Sequence, residues 1–181
     1  LGRGVDLRDL YDRLFRASMY RVGELWETAV IPVAVEHLAS AITGRCLSLV
    51  YPLLFAAEHR DRRAVVACVA DEYHQLGAQM VADLFEFRGW HGHFLGANTS
   101  IATLLAAVKE HRPHVIGLSL SIPTHLPRLV EALDALGETF PAVPVLLGGQ
   151  AFRWGIEDEI RRDGRIRILH SLTEADDVLA A

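Results

Sequence analysis

A chain of 181 residues that is 51% apolar can build one cored domain with a small helical appendage. Its formal charge of −5, with the basic residues scattered, excludes an electrostatic footprint for nucleic acid or for an anionic membrane, and no apolar run reaches the about 18 residues expected of a spanning helix. Two cysteines, Cys46 and Cys68, sit in apolar runs without zinc-ligand spacing, so neither a disulfide framework nor a thiolate metal site is expected, and a reducing, cytoplasmic setting is.

The chain opens on Leu1 rather than Met, and a longer parent polypeptide is expected. From residue 6 to 29, Leu7, Leu10, Tyr11, Leu14, Phe15, Met19, Val22 and Trp26 recur at three- and four-residue steps, which predicts an amphipathic helix with Asp6 as its N-cap. Pro32 ends that pattern, and residues 33–55 form a second helical stretch that is apolar around much of its circumference. A polar linker over 58–63 then separates a helical part, 1–57, from residues 58–181. Beyond it, strands are predicted over 64–70, 92–96, 115–121, 143–147 and 166–169. Helices over 77–88, 101–111, 126–140, 156–163 and 173–180 alternate with them. Strict alternation with short, continuously apolar strands predicts a five-stranded parallel sheet with helices on both faces.

In such sheets a ligand binds beyond the carboxyl ends of the strands, where the strand order reverses. The unusual residues collect on that rim. Asp71, Glu72, Tyr73, His74, Gln75, Leu76 and Gly77 follow the first strand, Ser119 and Ser121 end the third, and Gly148, Gly149 and Phe152 follow the fourth. No phosphate loop and no dinucleotide glycine fingerprint occurs, and Ser119 stands where a phosphoacceptor aspartate would be. What remains is an imidazole on one loop, hydroxyls on the next and a glycine pair on a third, where glycine admits a close approach to the backbone.

The run Glu72-x-His74-x-x-Gly77 resembles the Asp-x-His-x-x-Gly motif of cobalamin-binding domains, as in methionine synthase, the corrinoid methyltransferases and methylmalonyl-CoA mutase. With Ser119, Ser121, Gly148 and Gly149 in order, the resemblance covers 64–181 and implies a flavodoxin- or Rossmann-like module. It implies that His74 ligates cobalt from below while the cofactor's nucleotide tail lies in a channel lined by the serines and glycines. Tyr73, Gln75, Leu76 and Phe152 would line the same cofactor. Glu72 in place of Asp is the form of the light-sensing cobalamin-dependent repressors, and either carboxylate can orient a metal-bound imidazole.

Upstream, Gly23-Glu24-Leu25-Trp26 and, ten residues on, Glu36-His37 resemble the last two helices of the four-helix cap of those photoreceptors. The resemblance makes Trp26, Val33, Glu36 and His37 a cover for the upper face around an adenosyl group. Those repressors carry a histidine directly after the tryptophan that binds cobalt after illumination; here the position is Glu27, which leaves His37 as the cap imidazole. The implied function is a non-enzymatic sensor holding adenosylcobalamin base-off, with methylcobalamin as the other upper-ligand form and a homo-oligomer, output domain or protein as partner. A methyl-carrying corrinoid subunit is the alternative. A subgroup of similar proteins adds a bilin, so biliverdin is carried as a second chromophore although no residue here marks its site.

The same residues have plainer readings: His74 as a loop cap, Trp26 as core, the serines as strand ends and Gly148-Gly149 as a tight turn.

Overall fold

The computed structural model describes residues 6–54, 58–160 and 164–180. Five parallel strands form one sheet in the order β2-β1-β3-β4-β5, with β1 Arg63–Cys68, β2 His91–Phe94, β3 Val115–Ser119, β4 Val145–Gly148 and β5 Ile166–Ile168. The predicted sheet is the observed one. Alternation along β1 divides the interior in two: Ala64, Val66 and Cys68 face one cluster, Val65, Ala67 and Val69 the other.

The first face is covered by α4, Leu76–Phe87, and α7, Leu172–Ala180, and the second by α5, Ile101–His111, and α6, Leu126–Thr139. Helix α4 closes through Arg88 on Gly89, whose φ of 78° is a glycine conformation, and α5 is capped by Ser100, which accepts from the Thr103 amide. Between β4 and β5 lie two tight 3₁₀ turns, Gln150–Trp154 and Ile156–Glu159, the second in place of the expected helix over 156–163; residues 161–163 lie outside the described ones. Two glycines at positive φ, Gly149 and Gly155, bracket the first turn and prevent a continuous α-helix there.

The N-terminal helix α1 runs through Leu7–Asp9, Leu10–Arg16 and Ala17–Glu27. Asp6 caps it by accepting from the Arg8 amide, as predicted. Its middle segment, Leu10–Arg16, has π geometry, which the apolar periodicity did not reveal. The wider turn turns Leu7 and Tyr11 into the sheet core and Arg16 and Tyr20 toward the β4 and β5 loops. Helix α2, Val33–Ser48, ends early: Pro52 has no N–H for the Ser48 carbonyl, and the chain restarts as α3, Tyr51–Leu54. Phe55 lies outside the described residues.

Of α2 only Leu47 is buried, while Val33, Val35, Leu38 and Ile42 are exposed. The segment Val33–Leu54, 22 residues with a mean hydropathy of 1.2, is long and apolar enough by composition to cross a membrane. No uninterrupted apolar run within it reaches about 18 residues, because Glu36 and Arg45 break each run yet weigh little in the average.

The helical region is joined to the sheet domain by buried carboxylates. Tyr11 donates to Asp83 of α4 at 2.8 Å, and Asp176 of α7 accepts from Arg8 at 3.2 Å and from two Arg88 nitrogens at 2.6 Å. Burial is the largest influence on Asp83 and lifts its carboxyl from 3.8 to about 6, against the lowering effect of the Tyr11 hydrogen bond. The folded chain therefore holds this proton more tightly than the unfolded chain. The stability it contributes is complete below pH 3.8 and is lost as the pH rises through about 6. Asp83→Asn, which keeps an acceptor for Tyr11, is expected to raise stability at pH 7 by about 2 kcal/mol and to flatten the profile between pH 4 and 6. Urea unfolding at pH 5 and 7 reads this out.

Candidate functional site

The loop after β1 is built to hold one carboxylate and one imidazole. Asp71 takes a left-handed conformation, φ 66°, fixed by the Asn98 side chain accepting from its amide at 2.8 Å and by an ion pair with Arg128 at 2.8 Å. This turn directs Glu72 inward, where it is completely buried. Its Oε1 accepts from His74 Nδ1 at 2.6 Å and from the His74 amide at 2.9 Å, and its Oε2 accepts from the amides of Ser121 and Ile122 at 2.8 and 3.0 Å. One carboxylate thus ties the β1 loop to the β3 loop.

Burial is the largest influence on Glu72 and would raise its pKa, but the four hydrogen bonds to its ionised form win and hold it at about 2. His74 moves the other way. The hydrogen bond to Glu72 raises it most, burial opposes, and the charges of Glu72 and Glu36 add to the rise. In the neutral ring, Nδ1 donating to Glu72 leaves the lone pair on Nε2, which among the described residues makes no hydrogen bond. The side chain is 56% exposed. A buried carboxylate fixing the tautomer of an imidazole whose other nitrogen faces outward is the arrangement found behind metal-bound histidines.

The remaining predicted residues divide. Ser121 meets Glu72 through its backbone, and Ser119 is buried in β3 opposite Gly148 and Cys68. Gln75 occupies the N-cap position of α4 without a side-chain capping bond, Leu76 begins the helix and would meet a Cβ on Gly44 of α2 at 3.8 Å, and a Cβ on Gly77 would enter open space. Tyr73 is 66% exposed and its hydroxyl accepts from the Asn98 side chain. Gly149 answers to the fold itself: at φ 117° any Cβ would collide with the Leu120 carbonyl oxygen. Phe152 is core and also lines a cavity beside Gly149. In the helical hairpin, Glu36 accepts from Ser40 at 2.8 Å and His37 is exposed 3.6 Å from Glu36, while Trp26 and Val33 are both about half exposed near the turn.

Three contributors escaped the sequence reading. Ile122 supplies an amide to Glu72; His125, 3.6 Å from Glu72 Oε2, brings a second imidazole to that carboxylate; and Asn98 braces the β1 loop. An amide has no sequence signature, but the Pro123 and His125 pair just after β3 was a visible cue. Cys68, whose sulfur lies 3.9 Å from the His74 carbonyl, is pushed up to about 12 by burial and the Glu72 charge, so it is no thiolate.

Comparison with known proteins places this geometry. A B12 binding domain family model matches residues 62–179, and a second B12 binding domain model matches residues 1–51. The chain is 31% identical over 145 residues to the HTH-type transcriptional repressor CarH of Myxococcus xanthus, which covers 79% of this chain and 48% of that protein. It is 35% identical over 126 residues to the HTH-type transcriptional repressor CarA of the same organism, covering 68% of this chain and 42% of that protein. The chain spans about half the length of these relatives. The monomethylamine corrinoid protein of Methanosarcina barkeri superposes with a TM-score of 0.81 over 98% of this chain and 84% of that one, at 20% identity, and so shares the fold. With a family match over more than half its length, enclosing Glu72, His74 and the loops that hold them, the chain belongs to the B12-binding domain family.

Proposed function

We propose that this chain is a cobalamin-binding regulatory sensor, with His74 as the lower axial ligand and the helical region, residues 1–57, as a cap on the cofactor held by residues 58–181. The observation that carries the ligand assignment is the 2.6 Å contact from His74 Nδ1 to a fully buried carboxylate, which leaves an outward Nε2 lone pair. The residues fit the group. Open space over Gly77 admits a bulky neighbour beside His74, and an imidazole oriented by a carboxylate, once its Nε2 gives up its proton, is a donor that a cobalt ion takes. Cobalamin, when bound, supplies a cobalt centre whose upper cobalt–carbon bond is labile to visible light.

The chain's own residues do the rest. Glu72 keeps His74 in one tautomer and raises its basicity through the shared proton. Glu36 of α2 adds a smaller, same-direction charge effect to the rise in the His74 pKa. Trp26, Val33 and His37 are the exposed residues of the hairpin turn assigned to the upper ligand, an adenosyl group in preference to methyl. A cap can respond to loss of that group only if its contacts differ between the two states, and exposed apolar side chains on α1 and α2 supply such contacts. The identities of 31% and 35% to repressors, together with Glu at position 72, support sensing over methyl carriage.

Illumination tests the reading. Protein loaded with adenosylcobalamin in the dark is expected to change its absorption spectrum under visible light, to keep the changed form in the dark and to change its oligomeric size. No lasting change on illumination, with transfer of a methyl group from bound methylcobalamin to an acceptor protein, would identify a methyl carrier instead. Biliverdin as a second chromophore would add long-wavelength absorbance that survives dialysis; a one-cofactor sensor shows none.

A further inference from the structure

A cavity of about 350 Å³ opens at the amino-terminal end of the sheet, where the turn after α5 meets the turn after α6, and is lined by Val108, Lys109, Arg112, Pro113, Phe140 and Val143. Its volume falls within the range of about 300–1,000 Å³ typical of small-molecule sites. Strand β3 runs from Val115 to Ser119, so about 13 Å of strand separates this cavity from the rim that carries His74. It is a second site, and it stands whether or not the rim holds a cobalamin.

The floor is apolar and fixed. Val108 and Pro113 are buried, while Phe140 and Val143 pack against the core of the second sheet face and line the cavity with what remains exposed. The Val143 amide donates to the Phe140 carbonyl at 3.2 Å and closes one wall. On the other wall the Arg112 carbonyl accepts from Arg63 Nε at 3.5 Å, and the His114 amide donates to the Arg63 carbonyl at 2.7 Å, which pins the segment to β1. Two cations stand over this floor. Lys109 and Arg112 are exposed, no carboxylate lines the cavity, and neither side chain forms an ion pair among the described residues.

The carboxyl end of α5 accounts for a positive charge beside it. It does not account for Arg112 itself, which takes a left-handed conformation, φ 46° and ψ 59°, where glycine or asparagine would end the helix with less strain. Strain kept at the mouth of a cavity, in a residue whose side chain has no protein partner, points to a ligand. A wholly apolar ligand would leave both cations unused, and a small inorganic anion would leave the floor wet. We infer that the cavity binds a monocarboxylic acid with an aliphatic or aromatic body, the body on Val108, Pro113, Phe140 and Val143 and the carboxylate on Arg112 and Lys109.

Octanoate is the probe, with octylamine and acetate as controls, in calorimetric titrations of wild type, Lys109→Met and Arg112→Gly. Glycine suits the left-handed position, so Arg112→Gly removes the guanidinium while easing the backbone, and its unfolding midpoint should be no lower than that of the wild type. The wild type is expected to bind octanoate at least about tenfold more tightly than either control. Arg112→Gly should lose about tenfold and Lys109→Met about threefold in octanoate affinity. Equal binding of octanoate and octylamine, or unchanged octanoate affinity in a folded Arg112→Gly, overturns the inference. Repeating the titration with cobalamin present locates the ligand: unchanged octanoate affinity supports a separate site, whereas competition places octanoate on the cofactor rim and overturns it.

Discussion

His74→Ala is expected to weaken cobalamin binding by about 100-fold or more and to leave whatever cobalamin remains bound without a protein nitrogen on the metal. The magnitude follows from outer-shell partners of metal-bound histidines, whose loss alone costs about 10- to 100-fold in affinity, so removing the donor should reach at least the upper end. Stability should change little, because the ring is 56% exposed and its partner Glu72 keeps the three backbone amides of His74, Ser121 and Ile122. Equilibrium dialysis and thermal unfolding on the same preparation separate the two effects. A variant that binds as the wild type does would remove His74 from the site; one that unfolds would show that the ring serves the fold.

Glu72→Ala is expected to be the most disruptive single change in the site. It strips an acceptor from the Ser121 and Ile122 amides in a buried position, at about 1–3 kcal/mol for each unsatisfied donor, and frees the β1 loop from the β3 loop. Glu72→Gln keeps an acceptor and tests the charge separately. Because folding lowers the Glu72 pKa from 4.5 to about 2, its contribution is present above pH 4.5 and is lost as the pH falls through about 2. That shift corresponds to about 3 kcal/mol. The Gln variant should therefore lose stability at pH 7, converge with the wild type near pH 2 and bind cobalamin about 10- to 100-fold more weakly. Acid-unfolding curves of the two proteins that run parallel would contradict the role given to the carboxylate.

These two residues were legible in the sequence because the chemistry that makes them useful also constrains their spacing. A carboxylate two residues before a histidine, on the loop after a buried strand, can fold back on that ring, and the helix beginning at Leu76 follows at once. The sheet was legible for a similar reason: the β1 residues Ala64 to Cys68 are apolar on both faces, as a parallel strand covered by helices requires. What escaped was whatever depends on backbone geometry or on averages. The amides of Ser121 and Ile122 look the same in any sequence, and the π turn at Leu10–Arg16, which carries Tyr11 and its hydrogen bond to Asp83, has no signature in composition. Gly149 was read as an opening for the cofactor, and its strictest requirement is instead the Leu120 carbonyl. Only the turn Ile156–Glu159 stands where a helix over 156–163 was expected, because the chain is already extended at Ile160, φ −96° and ψ 126°.

The central claim is that a nitrogen of His74 binds cobalt, and one spectrum tests it directly. Protein made with ¹⁵N-labelled histidine, loaded with cobalamin and reduced to the paramagnetic Co(II) form, should show doublet superhyperfine splitting in its electron paramagnetic resonance spectrum in place of the triplet given by unlabelled protein. A triplet that persists after labelling would place a nitrogen other than histidine's on the metal and contradict the account.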